Sequence, residues 1–325
     1  MPITFERKRI QSPSRFSFGL SFLITACGLT IVADTVYGQT PDPLTSAPAR
    51  TRQFQPGVQI DWARPAVLVE GRVVLRSAPI EFLACFGGKE HESIIRLNGS
   101  AAHVYMALGL IGARPGSPPR WDEKSRRYLP ATGDLIDVEV EWRGAKRDRR
   151  APAFDWLRGY EFARAPLDRP WVFAGSRPLS DGMLTADRTG EGFAVVDMPN
   201  CLVALSRGRP SRNDSLWVGA DTSVIPPVGT PVRLVLKPAR LRRLGAHIDF
   251  RGALFVNERY VSVEDLADLI GLNRQLSPSY NLIIRSGAAL RTDVDRIRTR
   301  LLEQGTPASA VRFEERTGRM NEPDD

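Results

Sequence analysis

With 325 residues, 42% hydrophobic and 25% charged, the chain has the composition of an ordinary globular protein, which excludes wholesale disorder. Its formal charge of +8 is carried mainly by arginines scattered along the sequence. Scatter of that kind excludes a nucleic-acid footprint and leaves a basic surface suited to anionic envelope polymers or lipids.

The first 38 residues read as an export signal. Arg7, Lys8, Arg9 and Arg15 precede an apolar run from Phe16 to Val32, and Val36-Tyr37-Gly38 offers a cleavage site before Gln39. Two alternatives stay open. Ile24-Thr25-Ala26-Cys27 fits a bacterial lipobox with lipidation at Cys27, and a run of about 17 residues is just long enough to remain as an uncleaved anchor. Each reading places the body of the protein outside the cytoplasm, in the periplasm or envelope of a bacterium. Contact with the membrane then depends on lipidation of Cys27 or retention of the signal. Cleavage after Gly38 removes four basic and two acidic residues, so the charge falls to +6. It also leaves Cys85 and Cys201 as the only cysteines, able to pair in an oxidising compartment or to sit as buried thiols.

Residues 39–58 are rich in Pro, Thr, Ser and Ala and read as a flexible leader. Beyond them, AVLVE and RVVLR, separated by Gly71, suggest two paired strands. Another apolar run covers Pro79 to Phe86, and a strand follows over Ser93–Leu97. Ser100 is a good N-cap for AAHVYMALGLI, in which Val104, Ala107, Leu108 and Ile111 share one face. Gly112 suits the left-handed residue that ends this helix, and Pro115 prevents continuation. Residues 113–134 read as a polar loop, LIDVEVEW at 135–142 as a half-buried strand, and RGAKRDRR at 143–150 as a basic loop. Further strands are expected at WVFAGS from 171, GFAVVD from 192, SLWVGA from 215 and PVRLVLK from 231. Residues 59–238 thus form a mainly β domain with one principal helix.

KPARLRRLGA at 237–246, with Pro238 and a basic cluster, marks a boundary, and 239–246 reads as a linker. Residues 247–314 then suggest β-β-α-β-α-β: a hairpin about Arg251-Gly252, a helix presenting Val263, Leu266, Leu269 and Ile270, the strand NLIIRS, a helix capped by Thr292 with Val294, Ile297 and Leu301 aligned, and a closing strand SAVRF. The last βαβ portion implies a parallel pair. Residues 315–325 read as a disordered tail. The fold class is therefore α+β.

Chemistry concentrates in ACFGGKEHES, residues 84–93. Three readings stay open. Gly87, Gly88, Lys89, His91 and Glu92 could bind an anionic or polar ligand, since glycine tolerates φ > 0 and lets a ligand approach the backbone. Cys85, His91 and Glu92, with His103, carry thiolate, imidazole and carboxylate groups that suit a divalent metal, the one cofactor considered. At about 3.3 Å per residue the Ser93–Leu97 strand carries the chain about 17 Å away, so His91 and His103 meet only if the sheet curls. The third reading is a purely structural turn whose polar groups satisfy the backbone. No partnered nucleophile, Gly-x-Ser-x-Gly or HEXXH pattern accompanies the turn. His247 begins a strand in the other domain and reads as structural.

CFGGKEHESI, HVYMALGLIGARPG, WVFAGS and IPPVGTPVRLVLKP together resemble the YdjY domain of bacterial envelope proteins, over roughly residues 60–238. That family implies no activity. Some members are linked to ferredoxin-like proteins, but this chain lacks a Cys-x-x-Cys run for a cluster. LFVNERYVSVEDLADLI, YNLIIRSGAALRTDVDRIRTRLLEQG and AVRF resemble the periplasmic domain of ExbD/TolR proteins, over about 245–315. That resemblance implies a small interaction module able to dimerise or to touch cell-wall polymer. It does not imply a motor, because the apolar segment lies almost 200 residues away. The expected function is a non-enzymatic envelope protein that binds another envelope protein or an anionic wall polymer, with a metal protein at Cys85, His91, Glu92 and His103 as the alternative.

Overall fold

The computed structural model describes residues 51–159, 169–206, 218–241, 243–287, 289 and 291–315. The export segment, Cys27, the leader up to residue 50, residues 215–217 of the SLWVGA strand and the tail from 316 lie outside the described residues.

The expected leader does not extend to residue 58. β1 (Thr51–Gln55) and β2 (Val58–Asp61) form a hairpin turned at Gly57, whose φ of +73° suits glycine. Val58 and Ile60 of β2 are buried, and β2 packs on the principal helix.

The next eight strands close a barrel. They are β3 (Ala66–Val73), β4 (Phe82–Cys85), β5 (Ser93–Leu97), β6 (Leu135–Arg143), β7 (Trp171–Val172), β8 (Phe193–Ala194), β9 (Val203–Leu205) and β10 (Pro231–Pro238). Around the barrel the order is β3-β10-β6-β7-β9-β8-β4-β5, and β5 returns to β3 with Leu97 opposite Gly71. An eight-stranded barrel has an interior that side chains can fill. Here Val69, Ile95, Val140, Phe193 and Leu234 belong to one buried core.

β3 corrects an expectation. AVLVE and the following Arg72-Val73 are one strand, not two paired ones. Gly71 makes no turn. A Cβ there would lie 2.7 Å from the Arg96 carbonyl oxygen, so the glycine lets β5 approach closely enough to close the barrel.

α1 (Ala101–Leu110) matches its sequence signals. Ser100 Oγ accepts the His103 N–H at 3.2 Å, Val104, Ala107 and Leu108 are buried, and Gly112 has φ +93°. Asp187 of the short α2 (Thr185–Thr189) caps α1 from afar, accepting the Ala101 N–H at 2.6 Å and the Ala102 N–H at 3.3 Å. The two expected polar loops are hairpins. Residues 115–133 pair as a two-storey ribbon, with Pro115 opposite Gly133 and Trp121 opposite Tyr128. RGAKRDRR turns tightly, and its last three residues open the strand Asp148–Pro152, which pairs with β6. Exposure misled the reading of both, because their polarity belongs to edge ribbons and not to irregular chain.

The C-terminal part has its own core and one strand more than expected. β11 (Ala246–Ile248), β12 (Leu254–Val256), β13 (Arg259–Tyr260), β14 (Leu282–Ser286) and β15 (Val311–Glu315) lie in the order β13-β12-β11-β14-β15. The β11–β14 and β14–β15 pairs are parallel. Asn257 and Glu258 both have positive φ, 47° and 63°, and so split one expected strand into the β12–β13 hairpin. α3 (Val263–Leu276) and α4 (Arg291–Glu303) bury Leu266, Leu269, Ile270, Val294, Ile297 and Leu301. α4 begins at Arg291, so Thr292 sits inside its first turn.

The 239–246 stretch does not hold the two parts apart. Leu272 of α3 shares a buried cluster with Leu135, Val172 and Ala204 on the barrel wall. Beside it, the buried Arg169 lies 3.6 Å from Asp265 and 4.0 Å from Asp268 of α3.

Candidate functional site

The turn in question joins β4 to β5, and these strands run parallel, with Phe82 opposite Ser93 and Cys85 opposite Arg96. Parallel neighbours ordinarily need a crossover of about a dozen residues. Here residues 86–92 suffice. Gly87 (φ +130°) and Gly88 (φ +77°) reverse the chain, and the single 3-10 turn Glu90–Glu92 brings it back to the start of β4. Opposite the turn, Gly190 packs so closely that a Cβ there would lie 1.8 Å from the Gly87 carbonyl oxygen. The Phe86 N–H donates to the Gly190 carbonyl at 3.0 Å.

That return decides which side chains meet. Glu92 arrives beside Glu81, one residue before β4, not beside Cys85. The Glu81 N–H donates to the Glu92 carbonyl at 3.0 Å, and the Glu92 carboxyl acts directly on that of Glu81. Lys89 Nζ lies 2.8 Å from Glu92 Oε1, and His91 Nε2 lies 3.6 Å from Glu92 Oε2. The His91 side chain is 74% exposed. Beneath the turn, the buried Glu191 accepts the Asn200 backbone N–H at 3.0 Å and its Nδ2–H at 2.9 Å.

The electrostatics follow from this packing. Burial and the neighbouring Glu92 carboxyl push the Glu81 carboxyl up to about 7, with Lys89 opposing and Glu191 adding to the rise. Contact with the Glu92 carboxylate raises the Lys89 ammonium. Glu81 therefore changes its protonation state near neutral pH, beside the Glu92 carboxyl. Three carboxyl groups, Glu81, Glu92 and Glu191, gather about the Lys89 ammonium, which Glu92 already engages.

The other candidates lie apart from this cluster. Cys85 is fully buried, and its thiol is raised chiefly by burial. Cys201 is also free and buried, its Sγ donating to the Met198 carbonyl at 3.1 Å, so the two thiols do not pair. His103 lies on α1, and its buried Nδ1 has no hydrogen-bond partner. Cys85, His91, Glu92 and His103 do not converge. Among the described residues, no group of three or more His, Cys, Asp or Glu side chains could hold a metal ion. His247 lies in β11, stacked on Phe255 with ring centroids 5.1 Å apart.

Sequence reasoning missed Glu81 and Glu191. Each carried a faint signal: Glu81 is the lone charge within the apolar run 79–86, and Glu191 stands between two glycines directly before a strand.

The fold defines a closed, side-chain-filled β-barrel domain with an α/β module docked on its wall. A family model for the YdjY domain matches residues 58–237, and the chain belongs to that family. No curated protein and no solved structure matched the chain. No helix among the described residues is long and apolar enough to cross a membrane.

Proposed function

We propose that the chain is an exported protein of the bacterial envelope that acts by binding, not by catalysis, and that the Gly-Gly turn is its contact point. One arrangement carries this reading: the Glu81 carboxyl, pushed up to about 7, packs against Glu92, which lies beside a solvent-facing imidazole. Perturbed acids of this kind cluster at functional sites. The excess of carboxylates favours a partner with a basic or amide-bearing surface, such as another envelope protein. The C-terminal part is read as an interaction module of the ExbD/TolR kind. Its strand order, its two parallel pairs and its separate core support that reading.

The test is photo-crosslinking in cells, with benzoylphenylalanine at position 91 or at the exposed control position 64. A discrete adduct from position 91 alone, reduced by Glu81→Gln, supports the reading. Equal adducts from both positions, or none from position 91, reject the turn as a contact. Fusing residues 1–50 to a reporter that works only outside the cytoplasm tests export, and an inactive fusion rejects it.

A further inference from the structure

The ribbon between α1 and β6 is seated at its base and free at its tip. At the base, the Gly116 N–H donates to the Phe173 carbonyl at 3.0 Å, and a Cβ on Gly133 would lie 2.1 Å from that same oxygen. Pro118 and Pro119 are buried. At the tip, Arg120–Asp122 pairs with Arg127–Leu129, and every residue from 123 to 128 is exposed.

Two large aromatic side chains stand on one face of this tip. Trp121 is 47% exposed and Tyr128 40% exposed. They are cross-strand partners in edge-to-face contact, with centroids 5.5 Å apart. The contact stiffens the ribbon but leaves about half of each ring in water. Around them are Arg120, Lys124, Arg126 and Arg127, against Asp122 and Glu123. Asp122 is engaged within the turn, accepting the Ser125 N–H at 3.0 Å. Lys124, Arg126 and Arg127 form no ion pair among the described residues.

We propose that this tip docks on the surface of an anionic phospholipid bilayer. Trp and Tyr combine an apolar body with a polar edge and settle at the headgroup level, while adjacent Lys and Arg meet lipid phosphates. A ribbon with a fixed base and a narrow free end can enter the headgroup layer tip first, bringing both of its faces into it. The main competing occupant is a glycan. It would stack on a continuous aromatic platform, but the interplanar angle of 68° sets these rings nearly perpendicular. The proposal is independent of the Gly-Gly turn.

The test uses residues 48–325, which form one compact unit. This protein is sedimented with vesicles of phosphatidylcholine alone, or of phosphatidylcholine with about one-third phosphatidylglycerol. Only the anionic vesicles are expected to carry it down. Trp121→Ala/Tyr128→Ala should weaken binding at least about tenfold. Lys124→Gln/Arg127→Gln should weaken it about 30-fold, at the strength usual for two basic side chains near a lipid surface. Thermal melting of both variants should match the parent, because the altered side chains lie at the free tip. Lys146→Gln/Arg147→Gln removes the same charge from the hairpin at the far end of β6 and should change binding less than about threefold. The proposal is overturned by equal binding to both vesicle types, by no binding to either, or by an equal loss from the far-end variant. Preference for purified sacculi over anionic vesicles also overturns it and makes the tip a glycan reader.

Discussion

Replacing Glu81 with Gln tests the electrostatics of the turn. Glutamine keeps a donor that can reach Glu92 but does not ionise. Glu81 is raised from 4.5 to about 7 in the folded protein. A raised carboxyl binds its proton more tightly folded than unfolded. Its contribution is therefore fully present below 4.5 and lost as pH rises through about 7. The full shift corresponds to about 3.4 kcal/mol. Water screens this half-buried pair, so about 1.5 kcal/mol is the expected effect. Urea denaturation of parent and variant, in steps from about pH 5 to about pH 8, measures it. Near pH 5 the two should be almost equally stable; near pH 8 Glu81→Gln should be the more stable by about 1.5 kcal/mol. A stability difference that stays constant across this range, or that grows toward acid, refutes the reasoning.

Three further outcomes follow from the same packing. Gly190→Ala forces a Cβ to within 1.8 Å of the Gly87 oxygen at a residue with φ +78°, and should cost more than about 3 kcal/mol in denaturation, or prevent folding. Asp187→Ala leaves the Ala101, Ala102 and Leu184 N–H groups without their acceptor and should cost about 2 kcal/mol, read from the thermal midpoint. Cys85 and Cys201 are both buried and free, so residues 48–325 should show no fast-reacting thiol when native and two in denaturant without reductant.

Local signals made α1 legible. Ser100, the buried Val104–Ala107–Leu108 face and Gly112 each act within a turn or two of the helix. Alternation likewise placed β6, and turn chemistry placed most of the C-terminal part, apart from the hairpin hidden at Asn257-Glu258. Long-range decisions could not be read in this way. Gly71 looks the same in sequence whether it turns a chain or admits a neighbour, and only the approach of Arg96 distinguishes the two. The meeting of Glu81 with Glu92 depends on a parallel return over seven residues that periodicity does not encode. Strand direction therefore gives the turn other neighbours than those expected: Glu81, not Cys85, lies beside Glu92, and Glu191, not His103, lies next to it.

The chemistry of the turn rests on the Glu81 carboxyl, pushed up to about 7 by burial and by Glu92. A carbon-13 NMR titration of the glutamate side-chain carboxyls in residues 48–325, with Glu81 assigned by its loss in Glu81→Gln, tests it directly. The account predicts a Glu81 midpoint near 7. A midpoint near 4.5 would mean that the two acids ionise independently, and would remove the physical basis for placing binding at this turn.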